Sequence, residues 1–220
     1  MTLTAVAFDL DYTLAVPVRD RAAILADAVD AVGAPDISRA AYRQAHLDSH
    51  THETRAPIFA DLLDERDGDV DPADLADAYR AAIADALVPV DGAESLVCAL
   101  RDDYRVGLLT NGPVTAQRDK IETLGWTDLF DATVVTGDLV AGKPDERAFR
   151  AVLDELGTAP AETVYVGDEP DVDVAGAKDA GLLAIQVVYE GGPDPDPRAD
   201  AHVDRDHLAD RLPAVLCDLD

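Results

Sequence analysis

Apolar positions along this chain follow two regimes. Leu3 to Phe8 is a short run of small and apolar residues, the pattern of a strand buried on both faces of a parallel sheet. After Leu14 the sheet pattern stops. Arg19 to Val32 carries apolar residues at helical spacing, and Gly33 follows as a stop. Ser38 reads as the N-cap of a second helix through His46 and beyond. Pro57 interrupts or restarts a helical run around Ile58 to Leu63, and Asp67-Gly68-Asp69 reads as a turn. Asp71 then caps a helix with Pro72 at its first position, running to about Leu87. Residues 16–88 therefore read as a helical block with no strand signal.

From Val90 strands and helices alternate. Helices are expected near Gly92–Asp102, Val114–Leu124, Asp145–Leu156, Val172–Ala180 and Asp206–Leu216. Strands are expected near Arg105–Thr110, Ala132–Thr136, Thr163–Val166 and Leu183–Val187. This spacing predicts an α/β fold, a three-layer doubly wound parallel sheet, with the helical block inserted after its first strand. The expected domains are residues 1–15 with 89–220, and residues 16–88. Gly191 to Pro197 reads as a loop with no packed role. Trp126 and Phe130 are expected in the core.

Composition narrows the partners. No apolar run approaches a membrane span and no signal segment opens the chain, so a cytoplasmic protein is expected. Cys98 and Cys217 sit in apolar helical patterns and read as small core residues. Forty-five acidic residues against eighteen basic ones give a formal charge of −27. Such a surface repels nucleic acid, anionic membranes and itself. Lysine is depleted to Lys120, Lys143 and Lys178 while arginine is not. That bias resembles proteins of extremely halophilic microbes, in which concentrated salt screens the repulsion.

The candidate chemistry lies where strands end. The first strand runs into Asp9-Leu10-Asp11, and residues i and i+2 of a strand share a face. Both carboxylates could thus occupy one site at the carboxyl edge of the sheet, where open α/β folds bind ligands; alternatively Asp11 begins a turn and Asp9 is a cap. Leu109 leads into Thr110-Asn111-Gly112, a neutral donor set suited to a phosphate or an ordinary strand-to-helix turn. Lys143 stands before a helix start, where ammonium and helix terminus both favour an anion. Val166 leads into Gly167-Asp168-Glu169-Pro170-Asp171-Val172-Asp173. Carboxylates gathered at one edge repel unless a hard cation sits among them, and Mg²⁺ prefers oxygen ligands plus substrate phosphate.

With these four stretches in order, the chain resembles the haloacid dehalogenase (HAD) superfamily over essentially its full length. Asp9-Leu10-Asp11-Tyr12-Thr13 matches the first family motif, Thr110-Asn111 the second, Lys143-Pro144 the third and Gly167-Asp168 with Asp173 the fourth. The wording around Leu109–Gly112 and Gly142–Pro144 is similar to the branch of nucleoside-monophosphate and phosphosugar phosphatases. The resemblance implies a Mg²⁺-dependent phosphatase acting on a small-molecule phosphate ester, with the helical block as a cap. It implies that Asp9 attacks phosphorus to form an aspartyl phosphate. Asp11 would serve as acid and then base, its pKa set by local carboxylates and the metal. Mg²⁺ would be held by Asp9, the Asp11 backbone carbonyl and Asp168, with Asp173 orienting Asp168 or a water. Thr110, the Asn111 backbone and Lys143 would bind the phosphoryl oxygens.

Three alternatives stay open. A 2-haloacid dehalogenase releases halide, which needs no proton, and that branch generally lacks an acid at the position of Asp11. A phosphomutase would need cap groups to hold a phosphosugar, for which Arg39, Arg43 and Arg55 are candidates. A non-catalytic phospho-receiver domain has no helical insert after its first strand. His46, His50 and His52 could suggest a metal, but no third ligand has clear spacing; they read as surface or cap packing, or with Glu53 and Arg55 as cap residues facing substrate. No motif encodes the leaving group or the oligomeric state.

Overall fold

The computed structural model of the protein describes residues 2–47, 53–64, 66 and 69–220. Six parallel strands form one sheet: β1 (Ala5–Phe8), β4 (Arg105–Thr110), β5 (Ala132–Val135), β6 (Thr163–Gly167), β7 (Leu183–Val188) and β8 (Ala201–Asp204), in the spatial order β5-β4-β1-β6-β7-β8. The alternation of side chains along each strand assigns them to two separate cores. Val6 and Phe8, Val106 and Leu108, and Val164 and Val166 face α5 (Ala93–Leu100) and α9 (Leu208–Leu219). Ala5, Ala7, Leu109 and Tyr165 face α7 (Glu146–Leu156) and α8 (Ala175–Asp179). Because both faces are covered, β1, β4, β6 and β7 are mostly apolar along their length, and that is why they read as near-continuous runs.

Between β1 and β4 lie α1 (Arg21–Val32), α2 (Arg39–Leu47), α3 (Ala56–Asp64) and α4 (Pro72–Ala86). They share a third core of their own, in which Ile24, Leu25, Ile58, Phe59, Leu75 and Ile83 are buried. Asp20 caps α1 through Ala22 N and Ala23 N, and Gly33 closes it in the left-handed conformation. The Ser38 hydroxyl accepts Ala41 N at the start of α2, and Asp71 caps α4 with Pro72 behind it. α6 (Val114–Thr123) follows β4 and touches both the bundle and the sheet.

Several expectations need correction. The block is not free of strands: β2 (Ala15–Pro17) and β3 (Leu87–Pro89) pair antiparallel, so both chain crossings run through one two-stranded ribbon. β3 begins at Leu87, where a helix end was expected. Three residues on each side carry too little pattern to register as strands. β8 was also missed; its side chains alternate in exposure at a sheet edge. The expected helix over Val172–Ala180 is a wide π turn, Pro170–Val174, followed by the short α8. The Gly191–Pro197 loop does have a packed role: buried Gln186 donates to Asp194 O at 3.2 Å and accepts Asp196 N at 2.7 Å. Cys98 and Cys217 are exposed, not core, because each lies on the outward side of its helix. Trp126 and Phe130 are buried as expected and meet edge-on. His50, His52 and the turn residues Asp67 and Gly68 lie outside the described residues; His46 stacks on Tyr42 at 5.9 Å. Among the described residues, no helix is long and apolar enough to cross a membrane.

Candidate active site

Register decides what meets at the sheet edge. Phe8 is level with Leu108 on one side and Val166 on the other. Asp9 is therefore level with Leu109 and Gly167, and Thr110 and Asp168 follow one residue later at the carboxyl ends of β4 and β6. Lys143 arrives from the loop between β5 and α7, and its buried ammonium uses all three donors. It donates to Asp9 Oδ1, Asp173 Oδ1 and Tyr165 Oη, each at 2.7 Å. Asp173 Oδ2 accepts Glu169 N at 3.0 Å, and Tyr189 Oη donates to Asp168 Oδ2 at 3.0 Å. Oxygens of Asp9, Asp168 and Asp173 lie within 4.8 Å of one another, and all three residues are buried. β6 has to end in Gly167 here: a Cβ at that position would stand 2.5 Å from the Asp173 carboxylate.

Three carboxylates around one ammonium leave negative charge uncompensated. Burial raises the Asp9 carboxyl above its ordinary value; Lys143 opposes the rise while Asp173 and Asp11 add to it. Asp168 is raised by burial first, then by Asp173 and Asp9. For Lys143 burial works the other way, but Asp173 and Asp9 outweigh it and hold the ammonium well above its usual range. An all-oxygen, electron-rich donor set of this kind fits a hard divalent cation. Asp173, with one oxygen on Lys143 and the other on a backbone N–H, is the most fully occupied of the three.

Asp11 departs from expectation. Its neighbours are cations rather than carboxylates: Lys120 Nζ lies 2.5 Å from Oδ2 and Arg21 Nη2 2.8 Å from Oδ1. Gln117 Nε2 adds a bond to Oδ2 at 3.2 Å. Burial alone would raise this carboxyl, yet Lys120 and Arg21 overcome it and hold Asp11 far below the carboxylate range. Thr110 Oγ1 accepts from the same Gln117 amide at 2.5 Å. The Asn111 side chain is occupied with Lys143: its Nδ2 donates to Lys143 O and its Oδ1 accepts Lys143 N, both at 2.9 Å. That amide shapes the lysine loop, so only the Asn111 backbone is left to face a ligand.

Lys120, Arg21, Gln117, Tyr165 and Tyr189 were not singled out from the sequence. Lys120 had a signal: it is one of three lysines in a chain that avoids them, and it shares a helix face with Gln117. Tyr165 carried another, as a phenol in the middle of a strand buried along its whole length. A surface cavity of about 290 Å³ lies between α4 and α6 against Arg80, Asp119 and Glu122, and none of Asp9, Asp168 and Asp173 lines it.

Comparison with known proteins agrees with this geometry. The family description haloacid dehalogenase-like hydrolase matches residues 3–181. A phosphoserine phosphatase of Thermus thermophilus is 37% identical over 135 residues, 60% of this chain and 54% of that protein. The chain thus spans about half the length of several curated relatives it matches. A ribulose-1,5-bisphosphate 5-phosphatase of Halopiger xanaduensis is 30% identical across 94% of this chain and 91% of its own length. A solved 2-haloacid dehalogenase of Pseudomonas syringae superposes with a TM-score of 0.72 at 26% identity, covering 100% of both chains. The chain belongs to the haloacid dehalogenase-like hydrolases.

Proposed function

We propose that the protein is a Mg²⁺-dependent phosphatase of small-molecule phosphate monoesters, working through an aspartyl phosphate on Asp9. The reading rests on one observation above all: the Lys143 ammonium joins Asp9 and Asp173 at 2.7 Å, with Asp168 in the same cluster, at the edge of a buried parallel sheet. Phosphatase-named relatives point the same way. Asp9, the Asp11 backbone carbonyl and Asp168 would hold Mg²⁺, with Asp173 steadying them. When bound, the ion supplies positive charge that lets the Asp9 carboxylate and an anionic ester approach each other.

Asp9 Oδ attacks phosphorus as the bond to the alcohol oxygen breaks. Lys143, the Thr110 hydroxyl and the backbone at Asn111 take up charge on the phosphoryl oxygens. Asp11, held ionised by Lys120 and Arg21, is in the form that removes a proton from the attacking water in the second step. To protonate the leaving alcohol in the first step it has to loosen one of those contacts and gain a proton. The residues 16–88 act as a cap domain on the core of residues 1–15 and 89–220. Asp9 and Lys143 are only 7% and 2% exposed, and movement of the cap would be the means of admitting an ester.

The acid at Asp11 separates this reading from a dehalogenase on the same scaffold, because halide departs without a proton. The acidic, lysine-poor composition fits a cytoplasm rich in salt. Hydrolysis of p-nitrophenyl phosphate with Mg²⁺, compared in the unmodified protein and in Asp9→Asn, tests the function. We expect a loss of at least about a thousandfold in the variant and no turnover after chelation. Activity that survives Asp9→Asn overturns the nucleophile.

A further inference from the structure

Of the three acids gathered at the sheet edge, Asp168 is the one that Lys143 does not reach. The ammonium directs its three donors to Asp9, Asp173 and Tyr165. Among the described residues Asp168 has no ion pair, and the hydrogen bond its carboxylate takes from a side chain comes from Tyr189, Oη to Oδ2 at 3.0 Å. Oxygens of Asp9 and Asp173 lie within 4.8 Å of an Asp168 oxygen. A carboxylate that shares a dry space with two others, and has no cation of its own, swings out toward water unless something holds it.

Tyr189 is built to hold it. The residue stands just past β7, and its ring lies parallel to that of Tyr12, with 10° between the planes and 5.9 Å between centres. The Arg205 guanidinium, from the turn after β8, sits over the same ring 3.9 Å from its centre. Gly192 closes in from its own loop: a Cβ there would stand 2.7 Å from the ring. Tyr12 is fixed in turn by its backbone, with φ at 65°, uncommon for a bulky residue, and its N–H on Ala15 O at 2.8 Å. A ring enclosed in this way has its hydroxyl aimed before any ligand arrives. The same stretch secures the backbone around Asp168. Buried Gln186, level with Gly167, donates to Asp168 O at 3.3 Å. Arg198 donates to Pro170 O at 3.3 Å and pairs with Asp171 at 2.7 Å.

The type of donor matters as much as its aim. A phenol supplies one hydrogen bond and brings no charge. A lysine or arginine in its place would neutralise Asp168 and repel an incoming cation. Taking Asp168 as a ligand of the ion, which rests on the reading proposed above, we propose that Tyr189 is a positioning residue of the ion site. Its hydroxyl holds the Asp168 carboxylate in the orientation that Mg²⁺ meets and leaves the negative charge of that carboxylate available to the ion.

The test is Mg²⁺ binding. Calorimetry on metal-free protein, at one fixed KCl concentration, compares the unmodified chain with Tyr189→Phe, which keeps the ring and loses only the hydroxyl. Circular dichroism should stay unchanged while Mg²⁺ affinity falls about tenfold or more. Equal affinity overturns the role of Tyr189 and leaves the ion site standing. No Mg²⁺ binding by the unmodified protein refutes the ion site and this role with it. Turnover of p-nitrophenyl phosphate gives a second readout. In Tyr189→Phe the Mg²⁺ concentration for half-maximal rate should rise while kcat at saturating Mg²⁺ stays close to that of the unmodified protein. A lowered kcat with unchanged Mg²⁺ dependence marks general structural support and overturns the proposal. Absence of turnover by the unmodified protein counts against the phosphatase reading and leaves calorimetry to judge Tyr189.

Discussion

Asp9, Asp168 and Asp173 share a space too small and too dry for three separate charges. A carboxyl whose folded-state pKa is raised binds protons in the folded state that the unfolded chain has already released. Stability therefore falls as pH climbs above the ordinary carboxylate value of about 4. Burial and mutual repulsion raise both Asp9 and Asp168. Metal-free protein should consequently melt lower at pH 8 than at pH 5.5, and added Mg²⁺ should recover more at the higher pH. At a hundredfold excess over its dissociation constant, a ligand adds about 2.7 kcal/mol. For a chain of this size that corresponds to roughly 5–10 °C in Tm. A Mg²⁺ gain independent of pH would separate the ion from this trio of acids. At the same scale the sequence was legible where residue type and chain position coincide: Asp9, Lys143 and Asp168 each follow an apolar run or precede a helix. It was not legible for Lys120 and Arg21, whose target Asp11 lies 109 and 10 residues away along the chain.

Elements position these groups through their ends. β1, β4 and β6 are paired so that the Asp9 carboxylate leaves the sheet one residue before the Thr110 hydroxyl and the Asp168 carboxylate on the two neighbouring strands. β6 must finish in glycine to admit Asp173. In Gly167→Ala the added Cβ meets Asp173 Cγ at 2.5 Å, against a side chain held by Lys143 and Glu169 N. We expect circular dichroism to keep the folded signature while Mg²⁺ affinity drops about tenfold or more, read by calorimetry. Unchanged affinity would place Asp173 outside the ion's support. The starts of α2 and α4 were readable because caps are local: Ser38 and Asp71 each satisfy an N–H group two or three residues on, while the cap of α1 at Asp20 fell inside the expected helix. The ribbon of β2 and β3 was not readable. Its strands are three residues each, and what makes them strands is a partner some seventy positions distant.

Across the whole molecule, acids outnumber bases on the outside, where arginines such as Arg118 and Arg150 pair with only a few of them, while Lys120 and Lys143 hold their charge inside against Asp11 and Asp9. The exterior self-repulsion weakens with a shrinking screening length as salt rises. Tm should therefore increase steadily with KCl up to molar concentrations, and a flat melting curve would refute the halophilic reading. The sequence by itself determined the periodicities, and through them the doubly wound α/β class, the inserted helical block and the acids and lysine at strand ends. Periodicity is a short-range property, visible within a dozen residues. Tertiary structure alone decided that Asp11 sits among cations, that the Asn111 amide braces Lys143, that Cys98 and Cys217 face outward, and that Gln186 anchors the Gly191–Pro197 loop. Each of these depends on which faces of distant elements come together, and no local pattern carries that information.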